Sequence, residues 1–302
     1  MIATPFNLII QVASSLLSVP QESIAPYFPM VAPLPTSLAQ IKRRSQIDAL
    51  LEDQRFWGED AGFNFSSEEK VMVDGKFCMD DADLSGVSKS DGIIGLSADY
   101  QKRPSTYGEI TSLGARQLFY NMRMYSDRSY GLKENENDIV FFDLGSGVGR
   151  LVVQSYLELQ SRIKKSIGVE MVPSRHEIAI QTWQKILAIR NIDGLPEVEH
   201  TMVGKKSDER DKCGVEFHEG DLFEIDVTEA THIFVSSLCF TYAMMIDLAS
   251  KLQSEASQLK CVATLQKFPE GLFGSQLPFM EYVEMSWTKG RGQGCLVYFY
   301  FR

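Results

Sequence analysis

A chain of 302 residues, 44% hydrophobic and 23% charged, is long enough to bury one large core or two smaller ones, which excludes a disordered protein. A formal net charge of −10 excludes binding nucleic acid through a uniformly basic surface, so any such contact needs a local patch. The five cysteines, Cys78, Cys213, Cys239, Cys261 and Cys295, are scattered without a CxxC pair, which excludes a disulfide framework or zinc knuckle and fits a reducing compartment.

From the start of the chain, Met1 to Val19 carries apolar runs with no preceding lysine or arginine and no stretch of membrane-spanning length, and is expected to be a packed helix, with a secretory or organellar signal as the alternative. Five prolines between 20 and 36 mark a connecting segment. Leu38, Ile41, Ile47, Leu50 and Leu51 then recur at helical spacing up to Phe56 and Trp57, behind a cap at Thr36 or Ser37. The run Lys42-Arg43-Arg44 reads as the solvated face of that helix, with a nuclear address as the alternative. Residues 58–104 are turn-rich and acidic, and their carboxylates lack the order of an EF-hand, so a solvated loop is expected.

After Tyr107-Gly108-Glu109, Leu113 to Tyr125 reads as a helix and a regular alternation begins. Strands are expected at Ile139–Leu144, Ile167–Glu170, Val215–Glu219, His232–Ser237, Cys261–Leu265, Tyr282–Ser286 and Cys295–Phe301, with helices at Leu151–Gln160, Ser174–Arg190 and Thr241–Gln258. That pattern predicts an α/β fold with a mostly parallel seven-stranded sheet covered on both faces, the last two strands antiparallel. The charged stretch Glu197 to Lys212 is expected to be a surface loop. An N-terminal helical or irregular region over 1–104 and a catalytic domain over 105–302 are the expected division.

The first strand runs into Asp143-Leu144-Gly145-Ser146-Gly147-Val148-Gly149 ahead of a helix, where the switch point of an open α/β sheet places its pocket. The spacing is GxGxG rather than the dinucleotide GxGxxG, and an acid before the glycines suits the cationic amino group of a methionine moiety better than a pyrophosphate. The reading therefore tilts to S-adenosylmethionine and away from a nicotinamide oxidoreductase. Glu170, 27 residues on at the end of the second strand, can accept both ribose hydroxyls. Asp221 follows the third strand and can accept from the adenine amine, with Leu222 or Phe223 against the ring. Each acid alone is an ordinary surface residue; three at consecutive strand ends form a set. His176, His200, His218 and His232 lack metal-ligand spacing, and Ser236-Ser237 has no GxSxG elbow, so neither a metal nor a hydrolase nucleophile is expected.

Tyr107-Gly108-Glu109, the glycine loop, Gly168-Val169-Glu170, Gly220-Asp221, Ile233 to Ser237, Phe240, Lys267-Phe268-Pro269 and Ser286-Trp287-Thr288 together resemble the Dot-one (disruptor of telomeric silencing) histone lysine methyltransferases, from about residue 105 to the C-terminus. The resemblance implies a class I S-adenosylmethionine-dependent, Rossmann-like methyltransferase acting in the nucleus on a lysine in the folded core of histone H-three within nucleosomes, reaching DNA or the histone surface indirectly, with no membrane partner. It implies Tyr107, Glu109 and Thr111 as donor contacts beside Asp143, Gly145, Gly147, Gly149, Glu170, Asp221 and Leu222. It also implies Ser236, Phe240 and Tyr298 at the reacting amine, with Tyr300 as the alternative to Tyr298. Two departures stand out: Ile110 replaces a usual threonine, and Ser236-Ser237 replaces a pair of asparagines. Members of the family often carry a lysine-rich DNA-binding extension; these 302 residues show none, and histone contact is expected through Arg291 and neighbouring loops or through a partner. The serine pair keeps open a different acceptor, protein or small molecule, and a catalytically silent donor-binding subunit is a third reading.

Overall fold

The computed structural model describes residues 37–57, 66–76, 108–125, 138–159, 162–189, 214–273, 277–288 and 294–302. The expectations for 1–36, for Tyr107, for Glu197 to Lys212 and for Arg291 lie outside them. Helix α1 (Leu38–Glu52) is capped by Ser37, whose hydroxyl accepts from the Gln40 amide. The expected single helix breaks at Asp53, whose carboxylate accepts the Arg55 amide and starts the short α2 (Gln54–Trp57).

Helix α3 (Ser67–Lys76) lies inside the stretch read as loop. Its signal is a capping box: the Ser66 hydroxyl accepts from the Glu69 amide while the Glu69 carboxylate accepts from the Ser66 amide. The other Glu69 oxygen accepts from the Ser174 amide, so one acid serves two helix N-termini.

Helix α4 (Ser112–Asn121) leads to β1 (Ile139–Leu144), α5 (Arg150–Leu159), β2 (Ile163–Glu170), α6 (Pro173–Leu187), β3 (Val215–Glu219), β4 (His232–Val235), α7 (Tyr242–Glu255), β5 (Cys261–Thr264), β6 (Phe279–Val283) and β7 (Cys295–Phe301). The sheet order is β3-β2-β1-β4-β5-β7-β6, every neighbouring pair parallel except those with β7. This is the mostly parallel seven-stranded sheet expected of the class I methyltransferase fold. The chain winds outward from β1 to β3, then returns to place β4 on the other side of β1, so the switch point opens at the carboxyl ends of β1 and β4.

All six β1 residues are buried because helices cover both faces. Val140, Phe142 and Leu144 join a core with α7, while Ile139 and Phe141 join one with α4. A third core joins Ile47, Leu50, Leu51 and Trp57 of the N-terminal helices to Val152, Leu157, Trp183 and Ile186 of α5 and α6. Around it, Arg116 of α4 pairs with Asp48 of α1 and Glu158 of α5, both at 2.6 Å. The basic run at 42–44 is only partly a solvated face, because Arg43 donates to the Leu157 carbonyl. Among the described residues no helix is long and apolar enough to cross a membrane.

Candidate functional site

The carboxyl edge of the sheet collects the predicted residues. Gly145, Gly147 and Gly149 all adopt positive φ, which lets the chain reverse after β1. Gly149 is doubly constrained: a Cβ there would sit 2.6 Å from the Phe217 ring of β3. Gly145 and Ser146 donate their amides to the Val169 carbonyl, fixing the loop over β2.

Glu170 is buried, and its two oxygens accept from the Gly147 and Val172 amides at 2.8 Å each. Each oxygen keeps a second lone pair, the capacity that paired ribose hydroxyls require. Asp143 is 3% exposed and receives no hydrogen bond among the described residues. Burial, and secondarily the charge of Glu170, pushes its carboxyl up to about 8. A buried acid this poorly served is the place where a ligand's cation gains most. At the end of β3, Asp221 Oδ1 accepts the Phe223 amide, which turns the chain. Leu222 is buried in the core beneath, whereas Phe223 is half-buried with its ring 6.3 Å from that of Phe240.

At the end of β4 the two serines part company. Ser236 is half-buried, donates its amide to the Leu144 carbonyl and faces Gly145, so it borders the glycine loop. Ser237 is fully buried and its hydroxyl accepts from the Leu265 and Gln266 amides, stapling the loop after β4 to the end of β5. Gln266, which the sequence did not single out, completes the staple: its side-chain amide donates to the Leu238 and Phe240 carbonyls. Phe240 and Tyr298 are buried in the same core cluster. Tyr298 lies opposite Thr264, the last residue of β5, and so nearer the carboxyl edge than Tyr300, which lies opposite Val262. The Tyr300 hydroxyl accepts the Phe268 amide, within a cluster formed by Phe268 and Phe273.

Two motifs more than a hundred residues apart in sequence meet at one corner of this edge. The Glu109 amide donates to the Ser286 hydroxyl at 3.1 Å and the Ser286 amide donates to the Glu109 carbonyl at 2.7 Å. Gly108 lies so close against the Trp287 ring that no Cβ fits. Trp287 thus backs the loop carrying Glu109, on the opposite core from Phe240 and Tyr298. Thr111 caps α4, its hydroxyl accepting from the Gly114 amide and donating to Glu284. Glu109 reaches Arg150, the first residue of α5, at 2.8 Å. His232 is buried beside Thr231 and kept neutral, burial driving it down to about 3, and the described residues contain no cluster of metal-ligating side chains.

With that geometry in place, the family profile described as Histone methylation protein DOT1 matches residues 101–271, more than half of the chain. The chain belongs to the DOT1 family. As a DOT1-family protein it is a methyltransferase whose donor is S-adenosylmethionine, and the buried, unserved Asp143 and the pre-oriented Glu170 fit that group. Among solved structures, the magnesium protoporphyrin IX methyltransferase of Synechocystis PCC 6803 with bound S-adenosylmethionine aligns at 12% identity over 79% of this chain and 99% of that one, with a TM-score of 0.42. An RNA methyltransferase from Salinibacter ruber in complex with S-adenosylhomocysteine aligns at 20% identity over 61% and 90%, with a TM-score of 0.35. Likenesses this distant carry no information about the DOT1-family acceptor. No curated protein matches the sequence.

Proposed function

We propose that the protein is a nuclear histone lysine N-methyltransferase that transfers a methyl group from S-adenosylmethionine to a lysine in the folded core of nucleosomal histone H-three. Membership of the DOT1 family is the observation that carries this reading. The site supports it chemically. The donor supplies an activated sulfonium methyl, so the chain has only to align an amine in line and keep it unprotonated. Asp143, Glu170 and Asp221 hold the donor at three successive strand ends, with Glu109 and Thr111 at the methionine side and Leu222 under the adenine. Ser236 stands where the acceptor nitrogen arrives. Phe240 and Tyr298 form the apolar walls that strip water from a lysine and lower its pKa by disfavouring the charged form.

Incubating the protein with radiolabelled donor and nucleosomes, free histones or a nuclear extract is expected to label histone H-three, and nucleosomes better than free histones. Label on another protein or on a small molecule overturns the acceptor but not the enzyme; the serine pair favours that second reading. Because Ser236 borders the glycine loop while Ser237 is committed to the Leu265 and Gln266 amides, Ser236→Asn is expected to keep or raise the transfer rate. Loss of transfer with unchanged donor binding counts against placing Ser236 at the acceptor.

A further inference from the structure

The loop that joins β4 to α7 crosses from one core to another. Leu238 packs against the core that holds α4 and Trp287, and Phe240, two residues later, is buried in the core that holds α7 and Tyr298. Between them the backbone makes a tight turn, the Phe240 amide donating to the Ser237 carbonyl at 3.0 Å. The Leu238 and Phe240 carbonyls belong to no strand or helix, so something else has to serve them.

Gln266 serves both. Its side-chain amide donates one hydrogen to the Leu238 carbonyl at 2.8 Å and one to the Phe240 carbonyl at 3.0 Å, so a single planar group fixes the loop at two points. The glutamine is itself pinned at both main-chain groups. Its amide donates to the buried Ser237 hydroxyl at 3.2 Å, and its carbonyl accepts the hydroxyl of the buried Thr264 at 2.6 Å. An apolar side chain of equal length would fill the same space and leave both carbonyls unserved, so the amide supplies direction rather than volume. Direction is what this loop needs, because Ser236 borders the glycine loop at one end of it and Phe240 stands at the other.

We propose that Gln266 is a positioning residue for methyl transfer. Without touching donor or acceptor, it holds Ser236 and Phe240 at the spacing that brings the acceptor in line with the donor methyl, where a displacement of about 1 Å costs about a hundred-fold in rate. The inference rests on the placement of those two residues at the acceptor.

Gln266→Met keeps the length of the side chain and removes both donors. With nucleosomes as acceptor, kcat is expected to fall about ten- to a hundred-fold at nearly unchanged KM, while the affinity for S-adenosylhomocysteine stays within about twofold. Gln266→Lys, which returns N–H donors without the planar geometry, is expected to recover part of the rate. The thiol of Cys239, half-buried between the two clamped carbonyls, reports on the loop without any acceptor. Its alkylation, followed site by site by mass spectrometry, is expected to quicken about tenfold in Gln266→Met. Donor affinity and transfer that fall together, in step with the urea midpoint, make Gln266 an ordinary structural support and overturn the proposal. Faster alkylation at an unchanged rate of transfer overturns it differently: the clamp exists, but Ser236 and Phe240 do not face the acceptor. Nucleosomes left unlabelled by the unaltered protein count against the histone assignment alone, and unchanged alkylation in Gln266→Met then overturns the clamp by itself.

Discussion

The affinity for S-adenosylhomocysteine is expected to rise from about pH 5 to about pH 8, by up to about tenfold per pH unit, and to lose that dependence in Asp143→Asn. In the donor-free protein the Asp143 carboxyl is pushed up to about 8 by its burial and then by the charge of Glu170, so at neutral pH it is mostly protonated. The incoming α-ammonium favours the carboxylate, and binding therefore expels a proton wherever the free protein still holds one. Calorimetry at one pH in two buffers of different ionisation enthalpy measures that proton directly. A heat independent of the buffer, together with an affinity flat across this range, would show that Asp143 is ionised before the donor arrives.

The same residue sets the stability of the donor-free protein. An unfolded aspartate ionises near pH 4, while the folded one resists until about 8. The folded state therefore binds the extra proton, and stability falls as pH rises through that window, reaching its full loss above the folded value. Asp143→Asn removes the ionisable group. It is expected to be more stable than the unaltered protein at pH 8 without donor, and to bind donor far more weakly. A stability curve that rises across this window in the unaltered protein is incompatible with the assignment.

How much of this was legible in the sequence depends on whether the cause was local. Strands β1, β3 and β7 fall where expected to the residue, because continuous or alternating apolar runs end at glycines or at charged residues. Strand β6 sits three residues earlier than expected, because Glu284 to Ser286 leave β7 to pair with Glu109 to Thr111, a partner invisible to periodicity. The capping box at Ser66 and Glu69 is a local signal, but it stands at the head of a glycine- and acid-rich stretch whose composition reads as loop. At the site, Asp143, Glu170 and the glycines were legible since each closes a strand. Gln266, the staple role of Ser237, and the joining of Gly108-Glu109 to Ser286-Trp287 were not, because each is defined by a contact formed only once β4, β5 and β6 are in place.

Trp57 shows the same limit with the largest consequence for stability. Periodicity assigned it to the end of a helix in a region without known chemistry, yet it is 1% exposed and shares a core with Val148, in the middle of the glycine loop. Its indole donates to the Leu50 carbonyl at 2.8 Å, and the Thr182 hydroxyl of α6 donates to the neighbouring Phe56 carbonyl at 2.7 Å. The ring therefore fastens α1 and α2 to the helices behind the donor loop while its face supports Arg150. Trp57→Ala is expected to cost about 3–5 kcal/mol, read as a lower urea midpoint at unchanged slope. Because Val148 of the glycine loop loses its support, S-adenosylhomocysteine binding should weaken as well. Trp57→Phe restores most of the volume but not the hydrogen bond to Leu50, and is expected to recover most of the lost stability. Wild-type stability in Trp57→Ala would mean that the N-terminal helices do not hold the loop. Full donor affinity in that variant would mean that the loop holds its shape without them.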